Sequence, residues 1–179
     1  YRRQRQMCIR DRQRIRLREK KRRIRVWQGR ALVLLAVWVL CSLLFGVSVV
    51  RGDSMRPAYH EGDVVIFLRL LPGGPTYGDA VILEDPDGRE IIKRIEGLPG
   101  DEITVDASGR LTRNQSDVSE LEIIYGSGRG EDHMTFYVPD GMYFYLGDNR
   151  PVSRDSRQEG FAAAERVRGK VIASLRGRR

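Results

Sequence analysis

The chain has little thiol or imidazole to work with. Its cysteines are Cys8 and Cys41 and its histidines are His60 and His133. No cysteine follows residue 41, so the later part of the chain has no disulfide framework and no thiolate zinc site. Two imidazoles are too few for a histidine-rich metal centre, so no cofactor is expected. About 129 residues follow Val50, enough for one domain that stands on an apolar core alone. Charge is missing in a second place: Ala31 to Val50 is an uncharged, apolar run. Acids are scarce ahead of it, where residues 1–30 carry 14 Lys/Arg against 2 Asp/Glu. The remaining residues carry 18 Lys/Arg and 22 Asp/Glu, so the formal net charge of +8 joins a basic arm to a mildly acidic domain.

The uncharged run matches the ~20 residues that cross a hydrocarbon core. It is longer than the ~7–15-residue apolar core of a cleavable leader and ends in Val49-Val50-Arg51 rather than at a small-residue cut site. An uncleaved anchor is expected, with the basic arm holding the cytoplasmic side. The division predicted is a basic cytoplasmic arm over 1–30, a transmembrane helix over 31–49, an extracytoplasmic domain over 50–176 and a basic tail over 177–179. The helix itself is expected to end near Gly46 or Val47, with Ser48 to Arg51 already extended. The arm is expected to meet the lipid bilayer and not nucleic acid. Within it, Met7-Cys8-Ile9-Arg10-Asp11-Arg12 is what the codons ATG TGT ATA AGA GAC AGx encode, a string resembling a transposon end used to prepare sequencing libraries. Residues 1–12 are read as translated adapter.

Past Arg51 short β-rich runs alternate with turn signals such as Asp85-Pro86-Asp87-Gly88 and Pro139-Asp140-Gly141. Strands are predicted at 64–68, 80–83, 90–95, 102–105, 121–125, 135–138, 143–146 and 171–175, with a short helical lean at Phe161 to Arg166. The fold class is therefore mainly β, a sheet or barrel-like domain behind one N-terminal helix. Gly126-Ser127-Gly128-Arg129-Gly130 lacks the following helix of a dinucleotide fingerprint and reads as a hairpin loop.

Ser54 stands in Gly52-Asp53-Ser54-Met55-Arg56-Pro57, just past the apolar run. A serine needs a base to become a nucleophile. His60 is close in sequence, on a segment turned by Pro57, and reads as a surface turn residue. Arg56 occupies the place of the second glycine of an esterase elbow, which disfavours that fold. Lys93 interrupts the apolar strand Ile91-Ile92-Lys93-Arg94-Ile95. Side chains alternate along a strand, so one of Lys93 and Arg94 points inward and the other to solvent. A lysine buried without an acid partner loses its proton readily; a lowering of ~2–3 units from ~10.4 makes a workable base. On composition alone, a solvated strand-edge pair is the simpler reading.

Four separated blocks, in order, resemble the bacterial type I signal peptidases, membrane-anchored Ser-Lys proteases. They are Gly52 to Pro57, Gly62-Asp63-Val64-Val65, Lys93-Arg94-Ile95-Glu96-Gly97-Leu98-Pro99-Gly100-Asp101, and Gly147-Asp148-Asn149-Arg150 running on to Gly160. The resemblance covers Val50 to Val171. It implies Ser54 as nucleophile, Lys93 as general base, Ser153 orienting the lysine amine, and Asp155 with Arg157 shaping the last block. It implies the Ser54 N–H as one oxyanion donor. Some relatives place a serine hydroxyl where this chain has Gly52, which leaves the second donor unassigned. Met55, Tyr59 and Ile92 become candidate pocket residues. Ala58-Tyr59 and Pro151-Val152 depart from the usual pattern without touching the dyad. The segment from Thr104 to Leu146 is short, so any second β-domain is expected to be small. The implied substrates are signal peptides of secretory preproteins, cut after an Ala-x-Ala-like pattern and bound by strand addition. A self-cleaving repressor-type Ser-Lys protease would need a DNA-binding domain where this chain has an apolar run. A peptidase for pilin or conjugation substrates, and a membrane-anchored binding protein with an inactive dyad, are the remaining alternatives.

Overall fold

The computed structural model describes residues 23, 25–69, 72–85, 87–118, 123–126 and 133–177. The adapter-like segment with Cys8, nearly all the basic arm, residues 127–130 of the glycine-rich loop and 178–179 of the tail lie outside these. The chain separates into two units between Leu43 and Leu44. Among the described residues the first is formed by helix α1 (Arg25–Leu44), 20 residues long and apolar enough to cross a membrane, whose last residue lies past the division. Its end corrects the helix predicted over 31–49. Phe45–Val49 is strand β1 and belongs to the second unit. Gly46 shows why: a β-carbon there would collide with the Phe67 ring of the neighbouring strand, so the glycine lets β1 lie flat across it.

The second unit is mainly β. Its strands are β2 (Val64–Leu68), β3 (Ala80–Glu84), β4 (Glu90–Gly97), β5 (Glu102–Asp106), β6 (Leu111–Arg113), β7 (Ser116–Asp117), β8 (His133–Tyr137), β9 (Met142–Leu146), β10 (Ala162–Ala163) and β11 (Val167–Leu175). One sheet runs β1-β2-β11-β3-β4-β9-β10 and a smaller one β7-β6-β5-β8, both built from antiparallel pairs. The small second sheet is the compact extra β-layer expected from the short 104–146 segment.

Two predicted elements differ. Ile124 makes only a parallel bridge to Asn149, and residues 121–122 of that predicted strand lie outside the described residues. The helical lean over 161–166 gives way to β10 and a single 3-10 turn (Ala164–Arg166), because Ala162 and Ala163 pair with Tyr143 and Met142. The helix forms one segment earlier, as α2 (Ser156–Glu159), where Asp155 and Gln158 make a reciprocal capping box.

Three apolar clusters make the core. Val50, Met55, Val65, Phe67, Ile82 and Ile92 pack on one face of the large sheet. Val81, Leu83, Ile95, Tyr145 and Ala162 form a second cluster. Ile103, Val105, Leu111, Val138, Phe144 and Leu146 join the small sheet to β9. Phe45, Val47, Val49 and Leu175 remain exposed and, by register, share the outer face of β1-β2-β11.

Candidate active site

Strand β4 sets the site. Its register pairs Val81 with Lys93 and Ala80 with Arg94, so the two cations leave opposite faces of the sheet. Lys93 is only 4% exposed. Its amine donates to Ser153 Oγ at 3.0 Å. Burial holds the amine below the ordinary lysine range; Asp155, then Glu159, pull it back up, Arg157 pushes it down and Asp148 raises it slightly. Arg94 does not point freely to solvent as the alternation suggested. Its guanidinium grips Asp148 with two bonds, at 2.7 and 2.5 Å, and donates to the Gly78 carbonyl at 2.7 Å. That pairing raises its proton affinity still further.

The turn carrying Ser54 follows β1. Val50 is tied back to Asp63 by its amide at 2.8 Å, which turns residues 51–56 along the mouth of the sheet. The turn is held from the other side by Asn149. Its backbone N–H donates to the Ser54 carbonyl at 3.0 Å and its side-chain amide donates to the Asp53 carbonyl at 3.1 Å. Gly147 is required here: a β-carbon on it would overlap both Ser153 Oγ and the Ser54 carbonyl oxygen. The glycine thus lets the hydroxyl that holds Lys93 and the turn that carries Ser54 meet at one point. The Ser54 N–H makes no hydrogen bond among the described residues. Gly52 is exposed at the edge of the turn.

Asp155 and Arg157 shape the last block from within. Asp155 is completely buried, accepts from Arg157 Nε at 2.8 Å and Nη2 at 3.0 Å, and accepts the Gly147 N–H at 3.1 Å. Arg157 also donates to the carbonyls of Arg150 at 2.7 Å and Ser153 at 3.3 Å. These charges and Asp148 are interior struts.

Ser54 and Lys93 line two cavities together. One, of about 200 Å³, has an apolar floor of Val50, Val65, Ile82 and Ile92, with Ser48 and Glu90 at its rim. The other, of about 500 Å³, is polar and passes Asn149, Val152, Arg154 and Glu159. Of the three predicted pocket residues, only Ile92 lines either cavity. Met55 is fully buried in the core cluster and lines neither cavity. Tyr59 packs against that cluster and faces the Arg94–Asp148 pair, and burial raises its phenol. Val50, Val65, Ile82, Asn149 and Glu159 were missed. Asn149 and Glu159 lie in the quoted last block, whereas the three apolar residues gave no signal apart from the core pattern. His60 lines neither cavity; its amide donates to Asp63 at 2.9 Å within the turn before β2. That bond, foremost, and one from the Gly177 N–H keep the Asp63 carboxyl below the usual range, so the Gly62-Asp63 block ties the strand entry to the chain end.

Comparisons with known proteins agree in one direction. Residues 24–175 match the family model described as signal peptidase, peptidase S26. The chain is 36% identical over 151 residues to signal peptidase I S of Bacillus subtilis (strain 168), covering 77% of this chain and 80% of that protein. It is 31% identical over 156 residues to signal peptidase I U of the same strain, covering 78% and 80%. A crystal structure of a signal peptidase I from Enterococcus faecalis V583 is 31% identical, with a TM-score of 0.47 over 55% of this chain and 97% of that one.

Proposed function

This chain belongs to the signal peptidase family, peptidase S26, and from that premise we propose that Ser54 and Lys93 act as its nucleophile and general base. The chain is a serine peptidase hydrolase that removes signal peptides. One observation carries the dyad: the Lys93 amine is buried, held by the neutral Ser153 hydroxyl, and lines the same cavities as Ser54. Desolvation lowers the proton affinity of the amine, the direction that proton abstraction needs.

The reaction then runs in two halves. The Lys93 amine takes the Ser54 Oγ proton as Oγ attacks the scissile carbonyl. The oxyanion faces the Ser54 N–H, one preorganised donor of the kind worth ~3–4 kcal/mol. Collapse breaks the C–N bond, and the new amino terminus leaves with the proton from Lys93. Water, deprotonated by Lys93, opens the ester and restores Ser54.

The substrate is an extended signal-peptide segment ending in small residues. Strand β9 pairs with β4 only from Arg94 onward, so among the described residues the backbone of Glu90 to Lys93 has an edge without a strand partner on that side. A peptide adding there lies beside Ser48 to Arg51 and sets a small side chain on the floor of Val50, Val65, Ile82 and Ile92.

Anchoring by α1, with the N-terminus cytoplasmic and the catalytic unit outside, is part of the same reading. It is supported by the length of the helix and by the basic residues before it. The exposed apolar face of β1-β2-β11 fits work beside lipid. The test is cleavage of a secretory precursor bearing an Ala-x-Ala site by the full chain in detergent. Wild type is expected to cleave it, and Ser54→Ala and Lys93→Ala each to lose about a thousandfold or more. Undiminished cleavage by Lys93→Ala overturns the dyad.

A further inference from the structure

Lys93 shares its sheet face with Ile95, and Ile95 pairs with Tyr145 on β9. The Tyr145 hydroxyl on that face donates to Glu159 Oε2 at 3.0 Å. The other oxygen, Oε1, lies 2.8 Å from Arg154 Nε in an ion pair. The two partners are unlike. Tyr145 is core, whereas the Arg154 side chain is 82% exposed and that of Glu159 only 12%. Glu159 therefore presents a hydrogen-bonded carboxylate in the wall of the cavity that holds Ser54 and Lys93, neutralised in part by a solvated cation. The dyad chemistry described above gives this carboxylate no role.

We propose that Glu159 is a positioning residue for the Lys93 amine, setting the pH at which that amine becomes the free base, with Arg154 attenuating the effect. The proposal rests on the dyad reading. The charges that act on Lys93 are those of Asp155, Arg157 and Glu159 on α2 and its cap, and of Asp148 after β9. Across the polar cavity stand Arg51, Asp53 and Arg56 from the serine turn and Asp85, Asp87 and Arg89 from the β3–β4 turn. Asp155 and Asp148 are each gripped by an arginine through two bonds. Glu159 differs in that the cation paired with it, Arg154, is largely in water, where the pairing is weak.

The sign follows directly. An anion near the amine favours its charged form. Without Glu159 the free base appears at lower pH; without Arg154 the carboxylate acts more strongly and the free base appears at higher pH. The experiment measures kcat/KM against pH for precursor cleavage by the full chain in detergent, for wild type, Glu159→Gln, Arg154→Gln and Lys93→Ala. Glu159→Gln is expected to move the acid limb down by about one pH unit, with faster cleavage near neutrality. Arg154→Gln is expected to move it up, by about half a unit at low salt and less as salt rises. Opposite displacements are the signature, since mere damage to the site lowers both profiles without moving the limb. If Lys93→Ala is inactive while neither limb moves, the dyad stands and the role of Glu159 falls. Should Lys93→Ala cleave normally, the dyad falls and takes this inference with it. Arg154 lies on the surface, so its variant remains readable even if Glu159→Gln folds poorly.

Discussion

Lys93 and Arg94 are neighbours on one strand, both cations and both withdrawn from water, yet their surroundings are opposite. Arg94 is clamped to Asp148 by two short bonds and capped by a carbonyl, so its charge is fully matched. Lys93 is the more deeply buried and meets a hydroxyl instead of a carboxylate. The first arrangement locks β4 to the loop after β9. The second leaves an amine whose charged form is penalised, which is a weakness in a strut and an asset in a base. Direct pairing, more than burial, separates a structural cation from a chemical one on this sheet.

That contrast can be broken from either side. The largest change is expected for Asp148→Ala. It strands the Arg94 guanidinium, and chemical denaturation should show a loss of about 3–5 kcal/mol, as for other buried pairs that lose one partner. A loss below about 1 kcal/mol would mean that Arg94 is as solvated as an ordinary surface cation. Lys93→Met should act in the opposite sense, abolishing cleavage while stabilising the fold, by about 1–4 kcal/mol as in other replacements of buried charge by apolar groups. Its pH dependence carries the sign. Native Lys93 gives up its proton at lower pH than the unfolded chain does, so wild-type stability rises with pH between the lowered native value and the unfolded value of about 10.4. The advantage of Lys93→Met should thus be greatest below the native value and shrink as pH climbs, measured by denaturant unfolding across the range. An advantage independent of pH would show that Lys93 is not a desolvated amine. The smallest effect is expected for His60→Gln, which sharpens the choice of base. His60 lies off both cavities, so kcat/KM should stay within about threefold of wild type, less than the tenfold that 1.4 kcal/mol represents. A pH limb that vanished with His60 would move the base away from Lys93.

Much of this was legible beforehand because strands announce themselves locally. Val64–Leu68 appeared where alternation and turn residues placed it, and β3, β4, β5 and β9 appeared within a residue or two. The boundary between α1 and β1, expected near Gly46 or Val47, falls earlier, at Leu44; Ala31 to Val50 is uncharged and mostly apolar, and composition cannot divide helix from strand there. Contact between Gly46 and the Phe67 ring, distant in sequence, made that division. The helix at 156–159 was hidden for another reason: it is a single turn, too short for an apolar periodicity to announce it.

The site divides the same way. By itself the sequence determined the order of the blocks, the residues able to react, and the alternation that sends Lys93 and Arg94 to opposite faces, since these depend on residue type and a two-residue period. Only the tertiary structure decided which cation is paired, that Met55 and Tyr59 belong to the core while Val50, Val65 and Ile82 floor a cavity, and that Gly147 lets Ser153 and the Ser54 turn converge. Pairing, burial and convergence depend on groups dozens of residues apart in the chain. Ser153 lies 60 residues from the lysine it holds, and no local pattern carries that distance.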